Sequence, residues 1–147
     1  MSWIIATLFG NLGKVCDGIW RSGQSWILYP IWLFLGLKTI INLSSKPEKD
    51  YQDIFERWFC RWRDIELIEF NTISPDYKFD EAYDALKKAK QPVLVHCEGG
   101  KDRSGGLIAV YKREVLGQTL TEIVEDWPIH EIPGEAWLIF LFNRFGE

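Results

Sequence analysis

The chain has 147 residues, with 17 basic and 21 acidic side chains, a formal charge of −4 and 47% hydrophobic content. That balance suits one globular domain able to bury its own core, and it gives no electrostatic case for a nucleic-acid partner. The three cysteines, Cys16, Cys60 and Cys97, have no paired spacing, which argues against a disulfide framework or a metal site such as zinc and for a reducing compartment, the cytoplasm.

Met1-Ser2-Trp3 lacks the basic start of a signal peptide, and Ser2 leaves no glycine for myristoylation. The first strand is expected at residues 18–22. Ser25 then opens a helix that Gly36 ends, with Pro30 near its tolerant first turn. A second strand, 38–43, leads to a capping box of Ser45 with Glu48 and a helix running toward Arg63. Phe55, Trp58, Phe59 and Trp62 recur there at helical spacing, which predicts a buried aromatic stripe with Arg57, Arg61 and Arg63 on the wet face. Residues 65–70 form the third strand, 79–90 a short helix, and 92–96 an apolar, β-branched fourth strand. Residues 106–113 read as a helix ended by Gly117, and Thr119 with Glu122 caps another.

Helices alternate with strands, so the expected fold class is α/β: a central, mostly parallel sheet flanked by helices on both faces, in a single domain spanning residues 1–147. Two segments are unusually apolar. Residues 26–37 carry no charge, and 137–142 are an unbroken apolar run. Both fall short of the roughly 20 residues of a membrane span. They either pack on each other in the core or leave a patch for a second copy (a homodimer) or a lipid surface.

The densest signal is His96-Cys97-Glu98-Gly99-Gly100-Lys101-Asp102-Arg103-Ser104-Gly105, where the fourth strand turns into a helix. Backbone amides of Glu98, Gly99, Gly100, Lys101, Asp102 and Arg103 at a helix N-terminus lack intrahelical partners and can converge on one anion, and the helix dipole adds positive potential there. A phosphate group suits that cradle. The same field favours the thiolate of Cys97 and so makes it a nucleophile. Arg103, six positions on, offers a planar fork that can grip two phosphoryl oxygens at once. Ser104 stands where a hydroxyl can donate to the sulfur as it leaves. His96 reads as a residue that orients the loop and tunes the thiolate rather than as a base. Cys16 and Cys60 read as small buried hydrophobes, and His130, between two prolines, as a loop residue.

His-Cys, five residues, Arg and a hydroxyl residue resembles the signature loop of the cysteine-dependent protein tyrosine and dual-specificity phosphatases. The stretch from Val15 to Gln24, followed by a helix and residues 36–43, looks like the opening of the small dual-specificity enzymes, so the resemblance runs from about Val15 to Thr121. It implies a protein-tyrosine-phosphatase-like fold and hydrolysis of phosphomonoesters, in phosphorylated proteins or small molecules, through a phosphocysteine intermediate. It also implies that neither a metal nor an organic cofactor takes part.

The family usually places a general acid, an aspartate, on the loop after the strand that precedes the signature strand. Asp76, twenty-one residues before Cys97, is the candidate on that loop. Asp64 has the more familiar spacing but precedes its strand, at the sheet end away from the loop. Asp102 is the rival, because Lys101-Asp102-Arg103 resembles the loop of myotubularin-like and bacterial lipid-acting phosphatases, whose in-loop aspartate is placed to act as acid. On that resemblance Lys101 contacts a second phosphate and the substrate is a phosphoinositide or inositol phosphate. Lacking a working acid, the same loop would be a catalytically silent phosphate-binding module.

Overall fold

The computed structural model describes residues 12–23, 28–43, 51–71, 73, 74, 76–97, 102–125 and 134–146. The five strands are β1 (Gly13–Cys16), β2 (Ile19–Ser22), β3 (Thr39–Asn42), β4 (Glu66–Glu69) and β5 (Val93–His96). The helices are α1 (Leu28–Leu35), α2 (Tyr51–Arg63), α3 (Phe79–Lys88), α4 (Asp102–Glu114), α5 (Leu120–Glu125) and α6 (Glu135–Phe145). The strands make one sheet in the order β1-β2-β5-β3-β4. Only the β1–β2 hairpin is antiparallel, turning at Gly18 with φ of 88°, a conformation glycine tolerates without strain; the other pairings are parallel.

The four expected strands therefore form, with helices on both faces. β1 was not expected: its Gly-Lys-Val-Cys sequence has too little β-branched or alternating character to read as a strand, and only its partner defines it. The helix stop at Gly36 is present with φ of 62°, and Gly117 (φ 72°) follows α4. Thr119 and Glu122 form the expected box: the Glu122 amide donates to Thr119 Oγ1 at 3.2 Å and the Thr119 amide to Glu122 Oε1 at 3.5 Å. Ser25, Ser45, Glu48 and His130 lie outside the described residues.

β5 is central and buried along its whole length, so its side chains divide between two cores. Val93 and Val95, with Ile41 and Leu43, meet α3, α4, α5 and α6 through residues such as Phe79, Leu86, Leu107, Ile123, Trp137 and Leu141. Leu94, with Ile40, meets α1 and α2 through Tyr29, Trp32, Phe59 and Cys60. Burying each large apolar side chain contributes roughly 1.5–3 kcal/mol. On the first face Trp137 lies so close to α4 that a Cβ built on Gly106 would fall 2.4 Å from its ring, so glycine here is what admits the indole. Arg144 locks the same helices together, pairing with Glu114 at 2.9 Å and Asp80 at 3.4 Å.

Two expectations change. The apolar segments do not pack on each other: α1 and α6 lie on opposite faces of the sheet. Tyr29, Trp32, Trp137 and Leu141 enter the two cores, while Phe34 and Ile139 stay exposed. Among the described residues no helix is long and apolar enough to cross a membrane. The aromatic stripe of α2 is also rotated from its expected position. Phe59 is buried, but Trp58 and Trp62 are 54% and 59% exposed, their rings stacked on each other at 5.8 Å. The inward face of α2 carries Asp53, Glu56, Phe59 and Cys60, because two of its acids reach polar partners at the C-terminal ends of β3 and β5.

Candidate active site

Parallel pairing places Ser22, His96, Asn42 and Glu69 side by side in one row at the C-terminal ends of β2, β5, β3 and β4. In open α/β sheets this is the end at which ligands bind. Cys97 is the next residue after the central strand. Its amide donates to the Ser22 carbonyl at 3.4 Å, and the Leu43 amide donates to the His96 carbonyl at 2.8 Å. The ladder thus runs past the strand end and holds the cysteine backbone between its neighbours.

α4 begins at Asp102 and returns the chain to Cys97. Ser104, fully buried, has its Oγ 3.4 Å from Cys97 Sγ, and Arg103 sits half-buried in the same first turn. Cysteine, arginine and serine are thereby gathered where a helix N-terminus offers unpaired amides. Glu98, Gly99, Gly100 and Lys101 lie outside the described residues, as does the side chain of Asp102.

Asp76 lies on the segment after β4, at the same end of the sheet as Cys97. A tight turn pairs Ser74 with Tyr77 through two 3.1 Å backbone bonds and presents an exposed Asp76, whose Oδ1 accepts the Ser74 hydroxyl at 2.8 Å. It borders a small cleft with Lys78, Phe79, Asp80 and Glu81. Asp64 precedes β4 and is therefore at the opposite end, lining a cleft of about 740 Å³ with Lys38, Glu66, Lys90 and Gln91.

The other cysteines are poor nucleophiles. Burial, with Glu56 and Glu69 nearby, pushes the Cys60 thiol up to about 12. Burial and Asp17 also raise the Cys16 thiol. Both effects favour the neutral thiol, which is unreactive.

Sequence reasoning missed the polar group behind the loop. His96 is wholly buried, its Nε2 2.5 Å from Glu56 Oε2. Asn42 Nδ2 donates to Glu56 Oε1 at 2.9 Å and to Asp53 Oδ1 at 3.1 Å. The Trp32 ring lies against the imidazole with centroids 5.7 Å apart. The available signal was the spacing of Asp53, Glu56 and Phe59 on one face of α2, which the neighbouring aromatics outweighed.

A cysteine after the central strand of a largely parallel sheet, with arginine and serine in the first turn of the next helix, is the arrangement that the resemblance to the cysteine-dependent phosphatases implies. Residues 69–133 match the family model described as the tyrosine phosphatase family. OCA1 of Mycosarcoma maydis, provisionally named a tyrosine-protein phosphatase, is 28% identical over 80% of this chain and 77% of its own length. The inositol diphosphatase DSP2 of Oryza sativa subsp. japonica is 29% identical over 80% of this chain, which spans only 60% of that protein. Among solved structures, the core catalytic domain of the PP-IP phosphatase SIW14 from S. cerevisiae superposes with a TM-score of 0.68 at 25% identity, covering 93% of this chain and 85% of that one.

Proposed function

We propose that residues 1–147 act as one phosphatase domain hydrolysing phosphomonoesters, phosphotyrosine in proteins first among them, through a phosphocysteine on Cys97. The observation that carries this reading is the 3.4 Å approach of Ser104 Oγ to Cys97 Sγ, with Arg103 beside it at the start of α4. In the first step the Cys97 thiolate attacks phosphorus, the phosphorus–oxygen ester bond breaks, and Asp76 protonates the departing oxygen. Arg103 and the loop amides hold the equatorial oxygens as charge develops. In the second step water attacks the phosphocysteine, inorganic phosphate leaves, and the Ser104 hydroxyl donates to the released sulfur. No step requires a metal or an organic cofactor, and free thiols suit a reducing compartment such as the cytoplasm.

Cys97→Ser tests the nucleophile: turnover of nitrophenyl phosphate should vanish while vanadate still binds, because the cradle survives and a serine hydroxyl does not ionise at neutral pH. Turnover within about tenfold of the parent, more than a lost nucleophile leaves, would remove Cys97 from this role. Asp76→Asn should slow alkyl phosphates by about 10² to 10⁴ and a nitrophenyl ester far less, since a good leaving group needs little protonation. If Asp102→Asn shows that selectivity and Asp76→Asn does not, the acid is in the loop.

A second reading, hydrolysis of inositol phosphates, is favoured by the names of the rice and yeast relatives. Phosphopeptides and inositol phosphates assayed side by side separate the two, the first reading expecting a higher kcat/KM on phosphotyrosyl peptides.

A further inference from the structure

Asp53 and Glu56 take no part in the chemistry above, yet they are 1% and 0% exposed and lie one turn apart on α2. A carboxylate that deep costs several kcal/mol in lost hydration unless its oxygens find partners. Both oxygens of Glu56 do: Oε1 accepts from Asn42 and Oε2 meets His96 Nε2. An ionised carboxylate can only accept, so opposite an ionised Glu56 the ring nitrogen carries the shared proton. His96 Nδ1, by contrast, has no hydrogen-bond partner among the described residues. Apart from the Trp32 ring packed against it, the imidazole one residue before Cys97 is therefore oriented by Glu56.

We infer that Glu56 is a positioning residue for the nucleophile. Resting on the reading of Cys97 above, it fixes the Nε2–H form of His96 and one orientation of the ring at the end of β5, with Asn42 holding the carboxylate and Asp53 steadying Asn42. The partner of one ring nitrogen generally decides which nitrogen carries the proton. Here that partner comes from a helix on the far side of the sheet from α4, so the strand end that carries Cys97 is set from both layers. The titratable and charged groups around this dyad include Asp53, Arg57 and Cys60 on α2, whereas Cys97 packs in the core on the other face of the sheet.

Imidazole ¹⁵N NMR of the full chain reads this directly, because there are only two histidines, His96 and His130. His130→Gln assigns the signals. The expected spectrum shows His96 protonated at Nε2, with that proton protected from solvent exchange; an unprotonated or freely exchanging Nε2 would overturn the assignment, and needs no Glu56 variant to detect. In kinetics, Glu56→Ala should lower kcat by about tenfold or more with KM within about twofold, as expected when a reacting group is displaced without loss of substrate contacts. It should also move the pH midpoint of Cys97 alkylation by iodoacetamide. Glu56→Gln keeps an accepting oxygen and should recover most of both. A folded Glu56→Ala protein with unchanged kcat and alkylation, or a Glu56→Gln protein no better than alanine, would sink the inference. Full turnover by Cys97→Ser would instead remove the phosphatase reading and leave the NMR result intact.

Discussion

Val93 and Val95, on one face of β5, meet a core built from apolar side chains of α3 to α6, whereas Leu94 and His96, on the other, share their layer with two buried carboxylates. The faces belong to one strand of four residues. The difference shows how stability and site geometry are divided. The apolar side contributes burial in proportion to area and specifies no proton or hydrogen-bond direction. The polar side stabilises less, because each buried carboxylate loses hydration, but its bonds have direction and so fix a ring and a strand end beside the nucleophile.

The largest effect that would test this division comes from the apolar side. Trp137→Ala removes an indole that is 7% exposed and packed on Phe79, Phe140 and the bare backbone of Gly106. A loss of about 3–5 kcal/mol is expected in denaturant unfolding, with kcat of the folded fraction close to the parent value. Gly106→Ala should cost about 1–3 kcal/mol through overpacking against the same ring. A Trp137→Ala protein that keeps its stability but loses kcat would break the comparison, because the apolar face would then be shaping the site.

The same asymmetry explains what could be read from the amino-acid sequence. The strand that leads to Cys97 and the helix that follows were legible because local signals agree there: β-branched residues on one side and an uninterrupted helical run on the other. The four parallel strands and the box at Thr119 and Glu122 were legible for the same reason. β1 was not, since an edge strand of Gly-Lys-Val-Cys is defined by its neighbour rather than by its own pattern. The orientation of α2 was misread because periodicity ranks side chains by apolarity, and by that measure Trp58 and Trp62 outrank Asp53 and Glu56. Only the tertiary partners Asn42 and His96 make two acids the better choice for the inner face. Asp76 could be assigned to the end of the sheet that carries Cys97, but the path of its loop depends on geometry that spacing does not encode.

A smaller effect sharpens the polar side. Cys60 shares that layer, and its thiol is pushed from the ordinary 9.0 up to about 12 by burial and then by Glu56 and Glu69. The folded state therefore holds this proton more tightly than the unfolded chain does, and the associated stability is complete below about pH 9 and is lost as pH rises toward 12. Unfolding free energy should accordingly fall more steeply between pH 9 and 12 in the parent than in Cys60→Ala, whatever constant offset the lost sulfur introduces. Equal slopes would mean that the layer around Glu56 is wetter than its geometry indicates. Iodoacetamide mass mapping at pH 8 provides a parallel check, with Cys97 modified well before Cys60.

The smallest effect comes from Trp58, which is the same residue type as Trp137 in a contrasting place. Its ring is more than half exposed, stacks on Trp62 and lies tilted against Phe55, so replacement by alanine forfeits two partly solvated aromatic contacts rather than a filled core site. An aromatic pair of this kind contributes about 0.5–1.5 kcal/mol, and the cost of Trp58→Ala should fall in that range, several-fold below that of Trp137→Ala. Side-by-side urea titrations of the two variants measure the ratio directly, provided that the slopes agree with the parent. Near-equal losses would mean that the stripe of α2 is buried in solution as its spacing suggested, and that Asp53 and Glu56 turn outward. A large ratio keeps both carboxylates inside, which is the arrangement that His96 requires.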